Sequence, residues 1–301
     1  PTSADRPGDE MKLGLFAPLQ SPQATPEMMA DLAAGAEELQ LDSIWLGEHV
    51  VLFPDYESRY PGSPDGKIPI PKGSGLLDVT AMIGFLAAHT STVRLATGIC
   101  LLPQRNPVYT AKEFATLDWL SNGRVDFGIG VGWSWEEFEA CNVPWERRGA
   151  RCDEYVEILR TCWTDEVSSY DGEFYQLRDV YLYPKPVQQP HIPIHVGGHS
   201  DAAMRRTARI GQGWYGISAT VAAAEADIKR LATHLEAAGR SVDDIQVTVS
   251  PGPGLAPDDV AAYADIGVDV LAPPLARQRH ERLPEALEAL RPLADAVHAL
   301  A

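Results

Sequence analysis

Residues 192–216 read IPIHVGGHSDAAMRRTARIGQGWYG, and this run constrains the fold more than any other stretch. Ile192, Ile194 and Val196 alternate with Pro193, His195 and Gly197, the period of a short buried strand. Gly197 and Gly198 break that strand. Ser200 can cap a helix through Ala202, Ala203, Met204, Ala208 and Ile210, with Arg205, Arg206 and Arg209 along it. Gly211 and Gly213 end the helix, and Trp214, Tyr215 and Ile217 start another strand. Two glycines ahead of a capped helix leave backbone N–H groups pointing outward, and the helix dipole adds positive potential there. Two readings stay open: an anion site, most naturally for a phosphate, or a tight turn whose glycines serve geometry alone.

The rest of the chain repeats this alternation. Strands are predicted over 13–17, 43–47, 93–99, 124–130, 245–249 and 268–271. Helices are predicted from Pro26, over 78–89, 107–120, 148–163, 221–238 and 257–265, and over 283–300. With the opening unit this makes eight strands and eight helical segments, which predicts a (β/α)₈ TIM barrel with an open doubly wound sheet as the fallback. A long loop follows the second strand, and an insertion precedes the fifth, with a small hairpin expected around 170–174. Residues 50–77 hold five prolines and four glycines with no periodicity. A loop of that length inside a compact domain is usually a functional lid.

Of 301 residues, 45% are apolar, enough for one full core. Residues 1–10 are polar and read as a disordered leader, with one domain over 11–301. The net charge of −17 argues against nucleic acid or an anionic membrane as the main partner. No run approaches the length of a membrane span. Cys100, Cys141, Cys152 and Cys162 show no paired or zinc-like spacing, so they are expected to be reduced thiols of a cytoplasmic protein.

In a barrel, functional residues belong at the C-terminal ends of the strands. Glu48 and His49 follow the second strand. A histidine beside a carboxylate and under a lid is placed for proton transfer; a hydrogen-bonded structural histidine is the plainer alternative. In 124–132 (RVDFGIGVG), Gly128, Gly130 and Gly132 share one face. Bare backbone there could receive a flat ring, or the glycines could serve close packing. This G-x-G-x-G lacks the third spacing and the acidic partner of a dinucleotide fingerprint. Trp133 and Cys100 are candidates for a substrate pocket. His191, His195 and His199 are four apart, but Pro193 and the glycine pair deny the helix that would gather them, so no metal site is expected.

The chain resembles the bacterial-luciferase-like flavin and deazaflavin oxidoreductases, and in particular the branch that uses coenzyme F-420, an 8-hydroxy-5-deazaflavin. The matching residues include Met11-Lys12-Leu13-Gly14-Leu15, Trp45-Leu46-Gly47-Glu48-His49 and Leu95-Ala96-Thr97-Gly98-Ile99. They continue in Asn106-Pro107, in 120–133 (LSNGRVDFGIGVGW), in Arg147-Arg148-Gly149-Ala150-Arg151, in Val196-Gly197-Gly198 and in Gly211-Gln212-Gly213-Trp214. The resemblance implies a TIM barrel holding the cofactor ring in its mouth. It implies a non-proline cis peptide at about Gly98-Ile99 that supports the ring, and a phosphate held by Gly197, Gly198, His199 and Ser200. It makes His49 a ring-side or substrate-side histidine and Glu48 the acid beside it. The sugar-phosphate dehydrogenase branch carries an acid where this chain has Trp133, so an apolar or aromatic substrate face is expected here.

The function expected is hydride transfer between F-420 and a small organic substrate. The alternatives are a two-component monooxygenase using reduced FMN, a flavin-binding protein without turnover, and a non-redox sugar-phosphate barrel enzyme. Expected partners are the substrate, a flavin or F-420 reductase, and a second copy in a homodimer.

Overall fold

The structure is a computed structural model that describes residues 10–300. The leader expected over 1–10 therefore lies outside the described residues, apart from Glu10. The strands are β1 (Lys12–Leu13), β2 (Leu15–Phe16), β3 (Ser43–Leu46), β4 (Arg94–Thr97), β5 (Val125–Ile129), β6 (Ser168–Asp171), β7 (Gln176–Val180), β8 (Ile194–Gly197), β9 (Gly213–Ser218), β10 (Gln246–Pro251) and β11 (Val270–Leu271). Nine of them form one parallel sheet in the order β1-β11-β10-β9-β8-β5-β4-β3-β2. β1 pairs with β11 through Lys12 and Val270, while β2 pairs with β3 through Leu15 and Ile44. β1 and β2 are one strand interrupted at Gly14, so the sheet curls until its ends meet along the chain. The result is a nearly closed TIM barrel. β6 and β7 form the antiparallel hairpin expected in the insertion.

The helices are α1 (Pro26–Glu38), α2 (Val79–Ala87), α3 (Pro107–Leu120), α4 (Trp135–Ala140), α5 (Arg148–Thr164), α6 (Asp201–Ile210), α7 (Val221–Ala237), α8 (Asp259–Asp265), α9 (Leu283–Glu288) and α10 (Arg291–His298). Their starts follow local chemistry. Thr25, Asp78, Asn106, Ser134, Ser200 and Thr220 each accept a hydrogen bond from a first-turn N–H. The helix expected over 283–300 is two helices. Pro292 has no N–H to continue the ladder, and α10 restarts with it in the first turn. The short α4 was not expected at all.

Alternation along the strands sorts the core into two shells. Ile44, Leu46, Leu95, Phe127, Ile129, Ile194, Val196, Trp214 and Val249 belong to the large buried cluster shared with the helices. Each such side chain stabilises the fold by about 1.5–3 kcal/mol on burial. Trp45, Ala96, Tyr215 and Ala272 form a second cluster inside the barrel, with Phe16 and Ile99 against it. Below that layer the interior is polar. Arg94 Nε donates to Asp126 Oδ2 at 2.6 Å, and His195 Nε2 lies 3.8 Å from Asp126 Oδ1. Burial opposes ionisation of Asp126, but the bonds from His195 and Arg94 outweigh it and hold the carboxyl well below the usual range.

Candidate active site at the barrel mouth

The third strand was expected to run to Ile99, but β4 stops at Thr97. The peptide between Gly98 and Ile99 is cis, at the position the family resemblance implied. The chain leaves the ladder there and rejoins β5 at Cys100. Cys100 N donates to Gly128 O at 2.8 Å, and Gly130 N donates to Cys100 O at 2.9 Å. This detour accounts for Gly128 in β5 and for Gly130 just after it. A Cβ on Gly128 would overlap the Thr97 carbonyl, and one on Gly130 or Gly197 would overlap the Ile99 side chain. The face expected to be open is filled by Ile99. The glycines are there because the bulge needs their room. Gly132 lies past the strand at a φ of +77°, where a Cβ would press on Phe138. Gly98 sits under Tyr215, whose ring stacks on Trp45 at 4.8 Å between centroids. The Tyr215 hydroxyl is buried without a hydrogen-bond partner; Ser250 lies beside it but does not complete one.

Cys100 is fully buried, so it does not line a substrate pocket as expected. Burial and the nearby Glu48 carboxylate push its thiol well above the ordinary range, which makes it inert.

At the end of β8, Gly198 has a φ of +114°. Ser200 Oγ accepts from Ala203 N at 3.2 Å and starts α6. The first-turn N–H groups of Asp201 and Ala202 have no acceptor within the helix. Trp214 Nε1 donates to Gly198 O at 3.0 Å and holds the turn from below. His199 differs from its expected part. Its Nδ1 meets Asp227 Oδ2 at 2.8 Å, and its Nε2 accepts from Ile217 N at 3.1 Å. Both ring nitrogens are used inside the protein, so His199 braces the turn and has no donor left for a phosphate. Arg230 bonds both His199 O, at 3.1 Å, and the Asp201 carboxylate, at 2.7 Å.

The other side of the mouth is assembled over long range. His49 Nδ1 lies 2.9 Å from Glu137 Oε2, and Trp133 Nε1 donates to His49 Nε2 at 3.3 Å. Tyr56 and Tyr60, from the proline-rich loop, pack on Trp133 with ring centroids at 5.6 and 5.3 Å. Burial raises the ionisation point of Tyr60 and keeps it neutral. Glu137 Oε1 accepts from Val50 N at 2.6 Å. Glu136 Oε1 accepts from Glu57 N at 2.6 Å and Ser58 N at 3.0 Å. Burial alone would raise the Glu136 carboxyl, but bonds from Ser58 and Ser134 bring it down to about 2. Two adjacent acids at the start of α4 therefore pin the loop that covers Trp133.

Glu48 is not the acid beside His49. The Glu48 carboxylate is buried against Arg105, whose Nε donates at 2.9 Å and whose Nη2 also bonds it, and it accepts from Leu101 N at 2.5 Å. Both of its oxygens are engaged by these partners. Glu136 and Glu137 were missed because α4 was missed. The signal was present: Ser134 and Glu137 have the S-x-x-E spacing of a helix start, and Ser134 Oγ accepts from Glu137 N at 3.3 Å.

Among the described residues no group of three His, Cys, Asp or Glu is placed to hold a metal ion. Among them, too, no helix is long and apolar enough to cross a membrane.

The sequence profile of the luciferase-like monooxygenases matches residues 11–292. An uncharacterised protein of Mycobacterium tuberculosis is 35% identical over 245 residues, which are 81% of this chain and 84% of that protein. An F420-dependent glucose-6-phosphate dehydrogenase of Kineococcus radiotolerans is 32% identical over 251 residues, covering 81% of this chain and 68% of its own length. Among solved structures, the oxygenating constituent of a diketocamphane monooxygenase from Pseudomonas putida, in complex with FMN, superposes with a TM-score of 0.75. It is 16% identical and covers 96% of this chain and 98% of its own, a likeness of fold.

Proposed function

We propose a function from one premise: the chain belongs to the luciferase-like monooxygenase family. Within that family of oxidoreductases we read it as an F-420-dependent enzyme that moves a hydride to or from a small organic substrate. One observation carries the reading. His49, at the barrel mouth, has a ring nitrogen on a buried carboxylate, which suits it to the proton transfer that accompanies hydride transfer at a carbonyl or an alcohol. The sequence kinship with an F420-dependent dehydrogenase favours the deazaflavin over FMN.

The residues fit such a group. Gly198 and the open N–H groups at the start of α6 would bind its phosphate, since a helix N-terminus favours an anion. The Ile99 bulge and the Tyr215 floor would support its ring, and the unpartnered Tyr215 hydroxyl offers a buried polar contact there. When bound, the deazaflavin supplies the hydride donor and acceptor. His49 takes or gives the proton at the substrate oxygen. Glu48 holds the 97–101 bulge through Leu101 and Arg105 and acts on the site only by positioning. Trp133, Tyr56 and Tyr60 exclude water and present an aromatic wall, which favours an apolar or aromatic substrate over a sugar phosphate. The homodimer belongs to the same proposal, supported by exposed Trp119 and Leu120 near the end of α3.

Titration of the purified protein against F-420, FMN and FAD tests the cofactor. The expected outcome is tight binding of F-420 and weak binding of the other two. Tight binding of FMN alone would sink the F-420 reading and point to the monooxygenase branch.

A further inference from the structure

Glu137 makes contacts to two different parts of the site with one carboxylate. Oε2 meets His49 Nδ1 at 2.9 Å. Oε1 accepts from Val50 N at 2.6 Å and Val51 N at 3.4 Å. The residue is 1% exposed and lies on α4, 88 positions from the histidine. A buried carboxylate persists only with donors around it, and here those donors come from three consecutive residues at the root of the loop.

Both neighbours of the imidazole bear on where the proton sits. Trp133 Nε1 lies 3.3 Å from His49 Nε2, and an indole N–H can only donate. Nε2 must then carry a lone pair. In the neutral ring the proton is on Nδ1, where it donates to Glu137. Neither neighbour tolerates the opposite tautomer: a proton on Nε2 would face the indole N–H, and a bare Nδ1 would face a carboxylate. The next residue extends the same device. Glu136 holds Glu57 and Ser58, and Ser58 Oγ accepts from Trp135 N at 3.1 Å.

We propose that Glu137 is a positioning residue that fixes His49 in its Nδ1–H form with the basic Nε2 toward Trp133, and that it does so as one unit with the docked loop root at residues 50–51. A substrate hydroxyl would reach this nitrogen by displacing the long Trp133 contact. The consequence for turnover rests on the reading of His49 as proton carrier. The tautomer and the loop contact do not.

The test uses the full chain and Glu137→Gln. A carboxamide keeps the shape, and its oxygen can still accept from Val50. Its NH₂ turned to His49 needs an acceptor, which favours the Nε2–H form at the expense of the long Trp133 contact. The ring nitrogens of His49, assigned by their loss in His49→Gln, are read by ¹⁵N NMR on cofactor-free protein. Expected are Nδ1–H in the wild type, Nε2–H in the variant, and faster amide exchange at 50–51. Turnover with F-420 should fall about 10²–10⁴-fold with KM little changed, the range for a mis-set acid–base group. Glu136→Gln should speed exchange at 57–58 and leave the His49 tautomer as it is. An Nε2–H wild type overturns the proposal, and so does a variant that keeps Nδ1–H. An inverted tautomer with kcat within about threefold of wild type removes the positioning role. If Glu137→Gln fails to fold, the wild-type tautomer and the Glu136→Gln exchange pattern still decide. Failure of the wild type to bind F-420 sinks the functional reading and leaves the tautomer result standing.

Discussion

The turn at 197–200 and the histidine at 49 both lie at C-terminal strand ends, yet they are held by contacts of very different range. Around the turn, Ser200 reaches three residues ahead, Trp214 reaches back sixteen to Gly198, and His199 reaches Asp227 at a separation of 28. Around the histidine, Glu137 comes from 88 residues away and Trp133 from 84. One side of the mouth is a strand–turn–helix unit closed mainly by residues close to it in the chain. The other exists only when the loop, α4 and β3 are packed together. Binding can be entrusted to the first, since backbone N–H groups need only a turn. On the proposed function, a proton carrier with a set tautomer needs the second.

The comparison can be broken at four points. The largest effect is expected at the long-range side. His49→Ala should lower turnover about 10²–10⁴-fold and leave cofactor affinity nearly unchanged. Steady-state rates beside binding titrations check this. A loss of affinity with normal turnover of the bound form would make His49 a ring contact.

Next comes Arg105→Leu, which leaves the buried Glu48 carboxylate with its main partner removed. Unfolding in urea should show a loss of about 3–5 kcal/mol. A loss below about 1 kcal/mol, the size for an exposed pair, would mean that water reaches Glu48 and that the bulge stands without it.

The short-range side should respond more modestly. Gly198 sits at φ +114°, and a Cβ there would lie 3.3 Å from the Ala203 Cβ. Gly198→Ala should cost about 1–3 kcal/mol of stability and weaken cofactor binding. A variant that loses stability but binds the cofactor as before would show that the turn serves geometry alone.

The smallest effect is acid release of the loop. Glu136 has its folded ionisation point drawn down to about 2. Its stabilising contribution is complete above the ordinary carboxylate value of about 4.3 and is lost as pH falls toward 2. Amide exchange at 57–58 should therefore speed up over that window before the Ser200-capped start of α6 loosens. Simultaneous loosening would mean that the two regions unfold as one and that the contrast between them is false.

Sequence separation also explains what could be read in advance. The strand and helix sequence of the barrel, the hairpin, and the Gly197-Gly198 turn with its Ser200 cap all rest on neighbours within a few residues. The cis peptide at Gly98-Ile99 was placed by family resemblance. The glycines of β5 were recognised as a bare face, but what fills that face is Ile99, from another strand end. Glu48 was paired with His49 because they are adjacent in the chain, whereas the fold sets Glu48 on Arg105 and Leu101 and His49 on Glu137. Glu137 was overlooked because six residues of α4 are too few for a periodic pattern, although Ser134 and Glu137 carried the mark of a helix start.

Local chemistry in the chain determined the barrel, the Gly197-Gly198 turn with its Ser200 cap and the placing of His49 at a strand end. Strand alternation, capping and the left-handed freedom of Gly198 act over a few residues and need nothing else. The tertiary structure decided which acid faces that histidine and that Ile99 rather than empty space lies against Gly130 and Gly197. Those outcomes depend on atoms brought within 3–4 Å from about 30 to 90 residues apart, as Thr97 with Gly128 or His49 with Glu137. No local pattern encodes a separation of that kind; it is set by how the β-strand ends and the loops pack at the barrel mouth.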